Sequence, residues 1–330
     1  MHTYREFLEI INLEIDRIGE NDFTKEPMNL YDPIKYSLKS GGKRIRPVLC
    51  LMTAEMFGED YANCIHTALA IEIFHNFTLI HDDIMDKSDK RRGNDTVHKK
   101  WNENIGILSG DAMTVLSLAY IIKTKKNLEK ILEIFSETAL EICEGQQYDM
   151  DFESTIDVSE NQYIEMIRLK TAVLLATSLK AGAVLANANE EETKKLYDLG
   201  INLGLAFQLQ DDLLDVFGND KKFKKKLGGD IVENKKTYLL IQSLNLANEK
   251  QKKELTDLLS IKKYNKEEEK DKKINAVKKI YQELSIEHIT NQKIEYYFQE
   301  ADKIFDSLSI EVKKKKYLKE GIDMLKGREY

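Results

Sequence analysis

The chain has 330 residues, enough for one large or two modest domains with a substantial core. Its 42% hydrophobic and 32% charged content belongs to a folded protein rather than a disordered one. A formal net charge of −7 argues against nonspecific nucleic-acid binding as the main task.

The first residues, Met1-His2-Thr3-Tyr4-Arg5-Glu6, lack the basic and apolar regions of a signal peptide. All three prolines (Pro27, Pro33, Pro47) fall in the first fifth of the chain, and beyond Pro47 nothing forbids long helices. Loops are marked by Ser40-Gly41-Gly42, Phe57-Gly58-Glu59-Asp60, Arg91-Arg92-Gly93-Asn94-Asp95 and Leu227-Gly228-Gly229-Asp230. The apolar stretch Ile105–Ile122 approaches the length of a membrane span, but Asp111, two glycines and two serines predict a buried helix instead. Helical spacing of apolar residues runs through Ile10–Ile18, Leu128–Ile142, Tyr163–Leu185 and Leu196–Val216, and no stretch alternates as a strand would. The fold class is therefore all-α. Lys262–Lys273, dense in lysine and glutamate, reads as a solvated helix end or exposed connection, and Lys313–Lys316 reads the same way. No linker separates the halves, so residues 1–330 read as one domain. Cys50, Cys64 and Cys143 form neither a metal spacing nor a disulfide framework, which suits a reducing cytosol.

Two acidic runs carry most of the chemistry: His81-Asp82-Asp83-Ile84-Met85-Asp86 and Gln210-Asp211-Asp212-Leu213-Leu214-Asp215. In each, carboxylates at i and i+4 stack one helical turn apart, with the middle one about 100° round. Like charges this close repel unless a cation lies between them, and magnesium suits hard oxygen ligands shared with phosphates. If both runs face one cavity of a helical bundle, up to six carboxylates surround it, and metals plus a diphosphate restore the balance. The alternative is two acidic helix N-termini stabilised by the macrodipole. It leaves unexplained why Ile80, Ile84, Leu209 and Leu213 set the acids inside apolar helix sequence.

Cationic residues form the complement. Gly41-Gly42-Lys43-Arg44-Ile45-Arg46-Pro47 puts three basic side chains beside a flexible glycine pair, and Arg91-Arg92 follow the first acidic run. Lys170-Thr171 sit in otherwise apolar helix. His75, seven residues before Asp82, shares its helix face, and Gln208 shares that of Asp211. Together they suggest two anionic groups, one bound through metal and one bound directly.

In order and spacing, from about Tyr31 to Thr237, this set resembles the trans-type isoprenyl diphosphate synthases of the polyprenyl synthetase family. The resemblance rests on Gly-Gly-Lys-Arg-x-Arg-Pro, two Asp-Asp-x-x-Asp motifs, Arg-Arg-Gly, Lys-Thr, and Phe-Gln before the second motif. It implies a helical bundle of the isoprenoid synthase type around a deep central cavity, a homodimer, and a cytoplasmic enzyme. It also implies that Asp82, Asp83, Asp86, Asp211 and Asp212, with Asp215 nearby, hold magnesium (three ions) bridging an allylic diphosphate. Arg91, Lys170, Thr171, Gln208, Lys225 and Lys235 would contact that diphosphate. Lys43, Arg46, His75 and Arg92 would bind isopentenyl diphosphate directly, with Phe207 beside its hydrocarbon part. The family's usual Gly-Lys after the second motif is replaced here by Phe223-Lys224-Lys225-Lys226-Leu227, so Lys224 or Lys226 could stand in for Lys225.

The implied reaction joins isopentenyl diphosphate to an allylic diphosphate and extends it by five carbons. Phe77 and Thr78 lie roughly 6–7.5 Å before Asp82 along a helix axis. The wheel puts Thr78 nearer the aspartate face, while the resemblance makes Phe77 the floor of the product pocket; core packing is the other role open to Phe77. An aromatic there points to a short-chain synthase, with a C20 product (geranylgeranyl diphosphate) favoured over C15 farnesyl diphosphate. The rivals are a longer-chain synthase, a terpene cyclase or head-to-head enzyme, and a noncatalytic partner subunit. A cyclase has no need of Lys43, Arg46 and Arg92. A noncatalytic subunit commonly lacks some of the six aspartates, all present here.

Overall fold

The computed structural model describes residues 1–155, 157–218, 227–261, 263–264 and 266–327. The expectation of an all-α fold holds: the only strands among the described residues are the two-residue pair Lys90–Arg91 and Asn94–Asp95. Contacts group the chain into two compact units. One comprises Met1–Thr138, Leu174–Gly200 and Phe305–Leu325; the other comprises Ala139–Val173, Ile201–Ile304 and Lys326–Tyr330.

In the first unit, helix Tyr4–Asn21 starts at a reciprocal cap between Thr3 and Glu6, and buries Phe7, Ile11, Ile15 and Ile18 at helical spacing. Helix Ile65–Met85 is buried along nearly its whole first half, Thr67 to Phe74, which makes it the axis of this unit. Helix Glu103–Ile122 packs closely on it, because a side chain at Gly106 would meet Ile84 and one at Gly110 would meet the His81 ring. The buried helix expected over Ile105–Ile122 is found on one face only. Gly106, Ser109, Gly110, Met113, Ser117 and Tyr120 face inward, while Leu108, Val115 and Ile122 are 59%, 67% and 62% exposed. Small and hydroxylated residues on the inner face allow close helix approach, and that leaves the bulky aliphatics outside.

In the second unit, Leu209, Leu213, Leu239, Leu255, Val277, Tyr281 and Ile286 belong to one core. It gathers helices Tyr238–Leu246, Glu249–Leu259, Glu267–Glu283 and Ile286–Asp306 with the end of Glu190–Phe217. Helix Glu160–Ile167, opened by a Ser159–Gln162 capping box, runs into a π-turn at Arg168–Ala172 before helix Val173–Leu185. Lys273, the last residue of the run read as solvated, is only 2% exposed, so that reading fails at its end. Its helix turns Lys273, Val277, Ile280 and Tyr281 inward at helical spacing, so periodicity outweighs charge.

Candidate active site

The first acidic run closes helix Ile65–Met85, with Asp86 as its C-cap and its N–H on the Asp82 carbonyl at 2.8 Å. The second lies in the last two turns of helix Glu190–Phe217. Both acid clusters thus sit at the negative ends of helices, where the macrodipole opposes them; the N-terminal alternative is excluded, and the demand for a cation is sharpened.

Asp83 is 4% exposed, and burial pushes its carboxyl above the usual range. Arg91 opposes this, with Nε 2.8 and 2.9 Å from the two carboxylate oxygens and Nη2 2.8 Å from Oδ1. The strand pair presents that fork. Arg91 pairs with Asn94 across a two-residue turn in which Arg92 (φ 53°) and Gly93 (φ 83°) are both left-handed, as a type I′ hairpin requires.

Arg92, at the tip of the hairpin, donates to the Gly41 carbonyl. A Cβ at Gly42 (φ 135°) would lie 2.7 Å from the Arg92 guanidinium, so the glycine permits that approach. Arg46 Nη1 lies 3.2 Å from His75 Nε2. Burial, with Arg46, Arg92, Arg91 and Arg44 nearby, holds the His75 imidazole well below its ordinary pKa, and so neutral. The structure therefore gathers Arg46, His75 and Arg92 beside the glycine pair, with Lys43 exposed at its edge. Arg44, the third cation of that run, is turned away: it is buried and ion-paired to Glu72 at 2.7 Å, with the Leu38 carbonyl also accepting from it. Asn76 bonds Glu72 at 3.0 Å, and Tyr4 donates its hydroxyl to the Lys43 carbonyl. These scaffold residues were not picked out by the sequence, since a glutamate and an asparagine in an apolar helix carry no motif of their own.

Phe77 lies against the rings of His81 (4.8 Å) and Phe74 (5.2 Å), and Phe74 against Phe135 (5.1 Å), forming an aromatic column that ends at His81, the residue before Asp82. Thr78 donates its hydroxyl to the His75 carbonyl at 2.8 Å.

Around the second cluster the compensation differs. Asp212 is 4% exposed, and burial beside Asp211 and Asp215 pushes its carboxyl up. It accepts from the Tyr163 hydroxyl and from Gln208 Nε2 at 3.0 Å, while Thr171 donates to Gln208 Oε1 at 2.9 Å. Thr171 and Lys170 both ride on the π-turn. A side chain at Gly145 would collide with the Lys170 backbone, and one at Gly204 with Ala172, so two glycines admit the widened turn. Lys170 pairs with Asp149 at 2.6 Å. Asp215 accepts from the Asp230 N–H at 3.0 Å, fixing the start of helix Gly229–Glu233. Lys170, Thr171, Gln208, Asp212 and Lys235 line one cavity, and Phe207 is half-buried one residue before Gln208. Lys225, with Lys224 and Lys226, lies outside the described residues. Tyr163, Asp149, Gly145 and Gly204 escaped the sequence reading. Only the two glycines, each alone in helical pattern, offered a signal.

Among the described residues, no three acidic, histidine or cysteine side chains converge as a ready-made metal site. Magnesium does not need one: it binds through one or two carboxylates and keeps waters for the substrate's phosphates. Asp82 and Asp86, stacked at a helix end that repels them, fit that demand, as do the hard oxygens of the second cluster.

A family model described as polyprenyl synthetase matches residues 27–277. The chain is 43% identical over 244 residues to a short chain isoprenyl diphosphate synthase of Methanocaldococcus jannaschii, covering 73% of this chain and 74% of that one. It is 35% identical over 303 residues to a geranylgeranyl diphosphate synthase of Sulfolobus acidocaldarius, covering 90% of each. A solved geranylgeranyl pyrophosphate synthase matches with a TM-score of 0.93 at 44% identity, over 100% of both chains.

Proposed function

The chain belongs to the polyprenyl synthetase family of prenyltransferases, and we propose that it condenses isopentenyl diphosphate with an allylic diphosphate to make geranylgeranyl diphosphate. The observation that carries this reading is the pairing of an acidic helix end, Asp82 and Asp86, with a separate nest of Arg46, His75 and Arg92. One suits a diphosphate held through metal, the other a diphosphate held directly. Relatives named for the C20 product support the chain length.

The family uses a divalent metal, and we assign magnesium, three ions held by Asp82, Asp83, Asp86, Asp211, Asp212 and Asp215. Bound there, it would neutralise charge growing on the departing diphosphate. A carboxylate has about four acceptor sites, so Asp83 and Asp212 keep capacity beyond their protein bonds. Arg91, Lys170, Thr171, Gln208 and Lys235 orient the allylic diphosphate and stabilise it as its carbon–oxygen bond breaks. Lys225 joins them by resemblance. Lys43, Arg46, Arg92 and the neutral His75 hold isopentenyl diphosphate, with Phe207 beside its hydrocarbon, so that its double bond meets the allylic cation. A carbon–carbon bond forms, one proton leaves for the released diphosphate, and no enzyme nucleophile is needed.

Phe77, with Thr78 beside it, sets the product length. Phe77→Ala removes one ring of the aromatic column, so products should lengthen beyond C20 by mass analysis, at about 3 kcal/mol or less in stability. An unchanged product profile would leave Phe77 as core packing only. The exposed stripe Leu108, Val115, Ile122, at seven-residue spacing, supports a homodimer in which a second copy covers it. The unpaired Cys50, Cys64 and Cys143 suit a cytoplasmic enzyme.

Labelled geranyl or farnesyl diphosphate, incubated with magnesium and with or without isopentenyl diphosphate, tests the reaction class. Extension by five-carbon units only when isopentenyl diphosphate is present is the expected result. A hydrocarbon formed from the allylic substrate alone would make the protein a cyclase.

A further inference from the structure

We propose that Lys273 is a positioning residue for the allylic diphosphate site, holding the segment that carries Lys235 and Lys236 through the side chain of Asn234. The inference deepens the function proposed above and rests on it. Lys273 lies on helix Glu267–Glu283 and is buried. Its ammonium spends all three protons on oxygens: Asn234 Oδ1 at 2.5 Å, the Tyr264 hydroxyl at 3.0 Å and the Ile261 carbonyl at 3.2 Å. All three acceptors are neutral. A buried cation without a carboxylate among these partners is costly, and desolvation pulls its pKa down to about 8. Packing alone does not demand it, since methionine fills a similar length without the charge.

What the ammonium holds lies next to the chemistry. Asn234 is left-handed (φ 60°), ends helix Gly229–Glu233 and immediately precedes Lys235. Lys235, Lys236 and Thr237 line the cavity that also holds Lys170, Thr171, Gln208 and Asp212. Tyr264 ties the same helix by donating to the Val232 carbonyl at 3.0 Å. The start of that helix is pinned by the second acidic run, because Asp215 takes the Asp230 N–H. The short helix that leads into Lys235 and Lys236 is thus anchored at its start by an aspartate of the candidate metal site and at its end by Lys273. Lys235, whose N–H is tied back to the Asp230 carbonyl at 2.9 Å, follows directly from that anchored end rather than from a free tether.

Steady-state kinetics with each substrate varied in turn tests this on two variants. Lys273→Met deletes the charge at similar length. Asn234→Gly keeps the left-handed backbone but removes the acceptor, so it carries the test if the first variant fails to fold. Both should raise the KM for the allylic diphosphate roughly fivefold or more, and leave the KM for isopentenyl diphosphate within about twofold of wild type. An active wild type whose variants shift both constants together, or shift neither, overturns the positioning role and leaves Lys273 as a stability residue. A wild type that makes no prenyl product overturns the underlying reading and this inference with it.

Discussion

Asp83 and Asp212 occupy the same place in two identical motifs and are equally buried, yet each is compensated in its own way. Asp83 is met by the two-pronged Arg91 guanidinium, delivered by a type I′ hairpin. Asp212 is met by two neutral donors, a phenol and a carboxamide, set on helices around a π-turn. A fixed positive charge neutralises the first cluster in part before any metal arrives. Hydroxyl and amide dipoles, not a charge, meet Asp212. Repetition of a motif therefore does not mean repetition of its electrostatics.

The largest test of that contrast is to remove from each side a carboxylate proposed to hold metal. Asp82→Asn and Asp211→Asn should each lower kcat/KM by about 10³-fold, the scale of several kcal/mol of charge stabilisation. A variant that kept full activity would reduce its cluster to a helix-end acid. Next comes Tyr163→Phe, which takes one donor from Asp212 and leaves the first cluster intact. The magnesium concentration for half-maximal rate should rise about tenfold, the usual size of an outer-shell loss. No change would mean that the Asp212 bond is incidental.

His75 gives the smallest effect. Its pKa in the folded protein lies well below the ordinary value near 6.5, through burial and the arginines around it. Between those two values the unfolded chain binds a proton that the folded chain refuses, so stability falls as pH drops below about 6.5 and is flat in this group above it. His75→Gln should therefore narrow the difference in Tm between pH 5.5 and pH 7.5, read by calorimetry. An unaltered difference would place the acid sensitivity elsewhere.

Much of this was legible in the sequence because its signals are local. The acidic pairs, the glycine-flanked basic run and the helical periodicity need only neighbours in sequence; both acidic runs lie on helices and the periodic stretches are helical. The residues that distinguish the clusters act across 49 positions in the case of Tyr163 and Asp212, and across 21 in the case of Lys170 and Asp149. A tyrosine in amphipathic helix looks like core until its hydroxyl is seen to meet a buried acid. Arg44 misled in the other direction: one residue from Lys43, it spends its charge on Glu72. Lys273 did the same, since a lysine in a charged run gives no sign that its helix turns it inward. The π-turn has no sequence signature, and only the glycines at 145 and 204 that admit it could have hinted at a close approach.

Two diphosphates held by different chemistry, one through metal and one by side chains alone, should differ in their need for magnesium. Titration calorimetry on the metal-stripped protein tests it directly, with isopentenyl diphosphate in one arm and a non-ionising thiolo analogue of farnesyl diphosphate in the other. Isopentenyl diphosphate should bind with little change whether magnesium is present or chelated, whereas the allylic analogue should bind tightly only with magnesium. Equal dependence of both ligands on magnesium would contradict the account.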